Sequence, residues 1–240
     1  MIGTREEWQV AREALLERER EVARLNDEVN RQRRELPWVP VEKEYRFSTD
    51  DGVRTLAELF DGRSQLLAYH LMFGAGFTKG ACPGCSNLAD HFDGGVVHLE
   101  NRDVSFLAIS RVPFDRLQAY KRRMGWRFRW VSSFGSDFNH DFGFAATEEE
   151  LMSNPETRAI IDDPRGLGEW SETTGADAAT GLAEGPGWNA FALQDGVVHH
   201  TYSRDTDGGG DLLGPYYHQL LDQTPKGRPD SFPLRRNDEY

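Results

Sequence analysis

The only two cysteines of this 240-residue chain stand three apart, in Gly80-Ala81-Cys82-Pro83-Gly84-Cys85, shortly after the apolar run 65–73. Thiols at i and i+3 of a helix start can close a small disulfide ring. The first sulfur then sits among backbone N–H groups that have no intrahelical acceptor, and these favour its thiolate. Pro83 suits the first helical turn, where its missing N–H would have had no partner. Cys-x-x-Cys beside a strand–helix–strand pattern reads as a redox dithiol, with Cys82 the attacking thiolate and Cys85 the resolving thiol. The same pair admits two blander readings, half of a zinc site or two ordinary buried thiols.

Charge narrows the partners. Lys+Arg number 28 against 40 Asp+Glu, and the net charge of −12 repels nucleic acid and anionic membrane surfaces. No apolar run reaches the roughly 18 residues a membrane span needs. Met1-Ile2-Gly3-Thr4-Arg5-Glu6-Glu7 lacks the basic and apolar blocks of a secretory signal, so a cytoplasmic location is expected. In a reducing compartment a lone cysteine pair is catalytic or metal-binding rather than a permanent staple.

Along the chain, residues 4–35 are dense in Glu and Arg. Trp8, Ala11, Leu15, Val22, Leu25 and Val29 fall on three- and four-residue steps, interrupted at Arg18, which predicts a long amphipathic helix with a narrow apolar seam. Such a seam either lies across the main domain or pairs with a second chain. Leu36-Pro37-Trp38-Val39-Pro40 ends that helix. Residues 41–47 read as an edge strand, and 50–52 turn into a short helix at 55–60 stopped by Asp61-Gly62. Residues 65–73 form a central strand covered on both faces. A helix is expected from Pro83 towards Asp93, broken at Gly94-Gly95. A strand follows at 104–110, then a helix from Val112-Pro113 to Met124 ended by Gly125, and a short strand at 126–132. Phe134 to Phe142 reads as a loop, Thr147 to Met152 as a capped acidic turn, and 162–187 as an irregular insertion of the kind that is often functional. Residues 191–194 and 197–203 around Asp195-Gly196 give the strongest hairpin signal. A last helix is expected at 212–221, and a proline-bearing tail from Thr224 should wrap the surface or fray.

From residue 65 the order is strand, dithiol helix, strand, helix, insertion, hairpin, helix, a thioredoxin-like α/β order with added material before the hairpin, as in peroxiredoxins. Three parts are expected: helix and linker at 1–40, the thioredoxin-like domain at 41–224 with its insertion at about 132–187, and the tail at 225–240. Phe77 to Cys85, Arg111-Val112-Pro113, Arg123-Met124-Gly125-Trp126, Trp130-Val131-Ser132-Ser133, Asp137 to Phe142, His200-Thr201-Tyr202-Ser203 and Thr224-Pro225-Lys226-Gly227-Arg228 extend this reading. With these segments the chain resembles the bacterial thioredoxin-like family catalogued as domain of unknown function 899. The likeness covers nearly its whole length, including Leu36-Pro37-Trp38. The resemblance implies the fold and a dithiol-disulfide oxidoreductase class, and leaves the substrate open. Compared with thioredoxins, the dipeptide between the cysteines is reversed to Pro83-Gly84. The proline expected directly before the hairpin strand is represented only by Pro186, four residues short of Phe191. Peroxiredoxins place a Thr three residues before the reactive cysteine, whereas Thr78 lies four before Cys82.

Several residues are candidates for support. Lys79, three residues upstream, offers a charge that would lower the Cys82 pKa. His70 lies where thioredoxins keep a buried acid for proton transfer. Asn139, His140, Asp141, His200 and Tyr202 are candidates for a substrate pocket, while Trp126 and Trp130 read as packing residues. No cofactor or metal is expected, and the partner is a protein or small-molecule disulfide or thiol. The competing readings are a zinc site drawing on His70, His91 or His98, a peroxidase variant, and a non-enzymatic scaffold that dimerises or recruits a partner through its first helix.

Overall fold

A computed structural model describes residues 2–163, 165–205, 216–227 and 235–240. It comprises two units, Met1–Trp38 and Val39–Tyr240. The first is the helix α1, Arg5–Arg34. A capping box fixes its start: the Thr4 hydroxyl accepts from the Glu7 N–H, and the Glu7 carboxylate accepts from the Thr4 N–H at 2.7 Å. Glu6 and Glu7 in the first turn and Arg31, Arg33 and Arg34 in the last complement the helix dipole. None of its residues is buried, and Trp8, Leu15, Val22, Leu25 and Val29 are exposed.

The strands of the second unit are β1 (Val39–Pro40), β2 (Arg46–Thr49), β3 (Gly52–Thr55), β4 (Gln65–His70), β5 (Val104–Ser110), β6 (Trp130–Ser132), β7 (Gly187–Gln194) and β8 (Val197–Arg204). Its helices are α2 (Pro83–Ala89), α3 (Asp93–Glu100), α4 (Phe114–Met124), the single turn α5 (Phe138–Asp141), α6 (Glu148–Ser153), α7 (Pro155–Asp162), α8 (Glu169–Thr174), α9 (Ala178–Leu182) and α10 (Tyr216–Asp222). The sheet order is β1-β8-β7-β4-β5-β6-β2-β3. β4, β5 and β6 run parallel, β7 is antiparallel to β4, and β8 closes the hairpin. The stretch β5-β4-β7-β8, with α2 opening directly after β4, is a thioredoxin-like arrangement.

Two apolar layers hold this sheet. The crossovers β4 to β5 and β5 to β6 step the same way, and right-handed connections then place α2, α3 and α4 on one face. There Tyr69, Phe106, Ala108 and Trp130 meet Phe92, Leu117, Tyr120 and Met124. On the other face Leu66, Ala68, Leu107 and Ile109 meet Phe47, Leu59, Phe60 and Phe138. Each such side chain contributes about 1.5–3 kcal/mol by leaving water. Trp126 and Trp130 are core residues, as their sequence context suggests.

The differences from the sequence reading have local causes. The expected strand 41–47 begins only at Arg46, and Asp50-Asp51-Gly52 is the turn of a β2–β3 hairpin rather than the start of a helix. Helix at that place is a 3-10 turn, Ala57–Phe60, stopped by the left-handed Asp61. Gly94 and Gly95 lie inside α3, and the break in the dithiol helix comes earlier, after Ala89. The segment 155–182 is helical in three pieces. Asn154 caps α7 by accepting from the Glu156 and Thr157 N–H groups with Pro155 in the first turn, and Asp177 caps α9 by accepting from Thr180. β7 starts at Gly187, so Pro186 directly precedes the hairpin strand. Of the expected helix 212–221, residues 212–215 lie outside the described residues, as does Arg228 of the tail.

Candidate active site

β4 ends at His70, and the chain from Gly74 to Ala81 carries it to the start of α2. Several contacts hold this loop. Arg116 of α4 donates to the carbonyls of Ala75, at 2.6 Å, and Phe77. The Cys82 N–H donates to Met72 O at 2.9 Å, which ties the helix start to the end of the strand. Gly80 adopts φ +143°, and a Cβ there would meet Tyr120 and Arg236.

Both thiols are free and buried, Cys82 at 7% exposure and Cys85 at 4%. The Cys82 sulfur accepts from the Cys85 thiol, from the backbone N–H groups of Cys85 and Gly84, and from Trp170 Nε1 at 3.3 Å. These donors, the Cys85 thiol foremost, outweigh burial and bring Cys82 down to about 6. Cys85 is pushed the other way, first by its role as donor to Cys82 and then by burial. Behind it stands Tyr69, whose hydroxyl donates to the Cys85 sulfur; burial raises that phenol well above its ordinary range. The result is a polarised pair, an anion-ready outer sulfur and a protonated inner one with a hydroxyl beside it.

The helix α8 roofs this pair. Its last carbonyls, which have no partners inside the helix, are taken up by the loop before the cysteines and by the C-terminal segment. Lys79 Nζ donates to Glu172 O at 2.8 Å, Arg236 Nη2 to Thr173 O at 3.1 Å, the Lys79 N–H to Thr174 O at 2.9 Å, and the Thr78 hydroxyl to Gly175 O at 3.0 Å. Gly175 is left-handed, and a Cβ on it would strike Thr78 and Lys79. Lys79, expected to act on the thiol, thus spends its ammonium on the end of α8. Pro83 stands in the opening turn, as its place in the motif suggested, and the Gly84 N–H is one of the donors to Cys82.

His70 requires a correction. Side chains alternate along a strand, so Tyr69 faces the dithiol and His70 faces the other core. There its ring stacks on Phe144 at 4.0 Å. Its Nε2 lies 2.9 Å from Asn189 Nδ2 and its Nδ1 3.1 Å from the Asn139 amide. Burial brings it down to about 3. Its ring therefore lies on the side of the sheet away from the cysteines.

The expected pocket residues divide as well. Asn139 joins the His70 cluster, and His200 joins it by donating from Nε2 to Asn189 Oδ1 at 2.9 Å. Asp141 accepts from Lys43 at 2.6 Å and from the Tyr45 hydroxyl at 2.7 Å. His140 is exposed and pairs with Glu150 at 3.1 Å, and Tyr202 lies on β8 opposite Ala190. Asp141 and His200 line an open cleft of about 370 Å³ with Lys43, Tyr45 and Phe142. That cleft borders the core opposite the cysteines, so it is not a pocket of the dithiol. No group of three or more His, Cys, Asp or Glu among the described residues is arranged to hold a metal ion. No helix among them is long and apolar enough to cross a membrane.

Trp170, Tyr69 and Arg236 escape the sequence reading. For Trp170 a signal exists, since a large aromatic within a stretch of Gly, Thr, Ala and Asp needs something to pack against.

Fold and site together define a thioredoxin-like protein with a Cys-x-x-Cys dithiol at the head of a helix. The chain belongs to the family described as bacterial protein of unknown function, DUF899, which it matches over residues 1–240. Among solved structures it is similar to the peroxidoxin BcpB from Mycobacterium tuberculosis, at 13% identity and TM-score 0.44, over 74% of this chain and 92% of that one. It is also similar to a mutant PrxQ from Xylella fastidiosa, at 11% identity and TM-score 0.41, over 70% and 85% of the two chains. A third likeness is to a putative protein disulfide isomerase from Bacteroides thetaiotaomicron, at 13% identity and TM-score 0.36, over 78% and 92%. Comparison with curated proteins gives no match.

Proposed function

We propose that the protein is a thiol-disulfide oxidoreductase in which Cys82 attacks and Cys85 resolves. The polarised pair is the observation that carries this reading: four donors converge on Cys82, while Cys85 stays protonated beneath it. The Cys82 thiolate attacks one sulfur of a substrate disulfide, a bond to that sulfur forms, and the other substrate sulfur leaves as a thiolate that takes a proton from water. Cys82 is then neutral. The anion that held the Cys85 proton in place is gone, and the Tyr69 hydroxyl beside Cys85 favours its ionisation. Cys85 loses its proton to solvent and attacks Cys82, which forms the Cys82–Cys85 disulfide and releases the second substrate thiolate. Two electrons pass to the substrate, and a separate dithiol reductant restores the enzyme.

The test uses two variants and a small aromatic disulfide as probe. Cys82→Ser should abolish reduction of the probe, and Cys85→Ser should accumulate a mixed disulfide visible by mass spectrometry. Reduction by Cys82→Ser at the wild-type rate would sink the reading. Rapid peroxide consumption by the wild type without disulfide reduction would replace it with a peroxidase.

A further inference from the structure

The sulfur of Cys82 has one partner that comes from neither its own helix nor the strand beneath it. Trp170 opens the second residue of α8, 88 positions away along the chain, and its indole N–H donates to Cys82 Sγ at 3.3 Å. The ring is fixed in place. It meets Phe77 edge-on with centroids 5.3 Å apart, and it lies so close to Gly181 of α9 that a Cβ there would overlap it. The carbonyl end of α8 is bolted to Thr78, Lys79 and Arg236.

We propose that Trp170 is a catalytic residue of the exchange reaction, a third N–H donor that the insertion delivers onto the reacting sulfur to hold it as the attacking thiolate. The inference rests on the exchange reading above. Donors aimed in advance at a developing or resident anion cost no reorganisation when the anion forms, and a charge-assisted bond is about twice as strong as a neutral one. A sulfur bonded in a disulfide carries no such charge and accepts weakly. The bond therefore favours the reduced dithiol over the disulfide, and removing it should make the pair easier to oxidise. The titratable groups facing the sulfur are Cys85 on its own helix and Tyr69 on β4. The guanidinium of Arg236 reaches the Ala81 carbonyl next to it, at 2.8 Å, and α8 contributes an indole with no titration of its own.

Trp170→Phe keeps the edge contact with Phe77 and deletes the donor. In the reduced protein the midpoint of Cys82 alkylation by iodoacetamide should rise by about one pH unit, with a several-fold slower reaction at pH 6.5. The equilibrium with glutathione should move about tenfold towards the protein disulfide, equivalent to about 30 mV more negative. A purely structural role for the ring would move neither. A folded Trp170→Phe protein with both quantities unchanged overturns the proposal. Should that variant not fold, the wild type still decides: one indole N–H resonance must follow the Cys82 titration and stop doing so in Cys82→Ser, and its absence rejects the assignment. Failure of the underlying reading looks different. A Cys85→Ser protein that forms no mixed disulfide removes the exchange reaction whatever Trp170 does, whereas wild-type exchange with an unmoved midpoint in Trp170→Phe removes only the role of Trp170.

Discussion

Tyr69 and His70 are consecutive on β4 and belong to opposite sides of the sheet. The phenol donates to the Cys85 sulfur, and the imidazole stacks on Phe144 between two asparagine amides. One residue of strand therefore separates a group that serves the dithiol from one that serves the opposite core.

Tyr69→Phe should leave the first chemical step intact and slow the second. The ring still packs on Phe92 and Trp188, while Cys85 loses a donor worth about 1 kcal/mol, so resolution should slow by roughly fivefold to tenfold. Rapid quench with mass spectrometry would show a longer-lived mixed disulfide. An unchanged lifetime would mean that the Tyr69 hydroxyl does not stabilise the Cys85 thiolate.

Stability should respond to pH through two buried groups of opposite sign. His70, at about 3 when folded and ordinarily 6.5, binds fewer protons folded than unfolded, so its contribution is present above 6.5 and is lost as pH falls towards 3. Glu184, raised by burial to about 7 despite Arg111 at 3.2 Å, binds more protons folded, so its contribution is present below 4.5 and is lost as pH rises towards 7. Each slope is at most about 1.4 kcal/mol per pH unit. Between 4.5 and 6 they cancel, and Glu184→Gln should expose a steeper rise of stability with pH by about that amount. Urea denaturation at pH 4.5, 5.2 and 6 measures it; parallel curves for the two proteins would refute the assignment of the Glu184 proton.

Arg236 anchors the C-terminal segment beside the dithiol. Its guanidinium donates to Ala81 O at 2.8 Å and Thr173 O at 3.1 Å and lies 5.8 Å from the centre of the Tyr120 ring. Arg236→Ala should cost about 2–4 kcal/mol, from two bonds by a charged donor. Arg236→Lys should recover only part, because one ammonium cannot hold the Ala81 and Thr173 carbonyls and the Glu239 carboxylate together, as Nη2 and Nη1 of the guanidinium do. Equal stability of all three proteins in chemical denaturation would remove the anchor.

The seam of α1 is proposed to pair with a second copy. Trp8, Leu15, Val22, Leu25 and Val29 are each about half exposed on a helix whose other positions are mainly charged. Burying them between two helices offsets the entropy of association. Leu15→Glu with Val22→Glu should halve the mass seen by light scattering and leave alkylation of Cys82 as it was. A wild type that is monomeric at tens of micromolar rejects the pairing.

What the sequence determined is local. The spacing of Cys82 and Cys85, the proline in the first turn, the apolar run before them and the Asp195-Gly196 turn each specify geometry within a few residues, and they stand as read except that the strand in the apolar run ends at His70 rather than Phe73. Chain order sufficed for the thioredoxin-like arrangement because connections are short and of one hand. The face of each β4 residue depends on a register that a nearly unbroken apolar run does not reveal, since every position there looks like core. The insertion hid Trp170 for a related reason: α8 and α9 have six and five residues, too few to show a period, and are set by caps and by docking onto Thr78, Lys79 and Arg236. The sequence by itself determined where a dithiol is made. Tertiary structure alone decided what surrounds it, because Tyr69, Trp170 and Arg236 reach it across the sheet register, a long insertion and the length of the chain, and no local preference encodes such meetings.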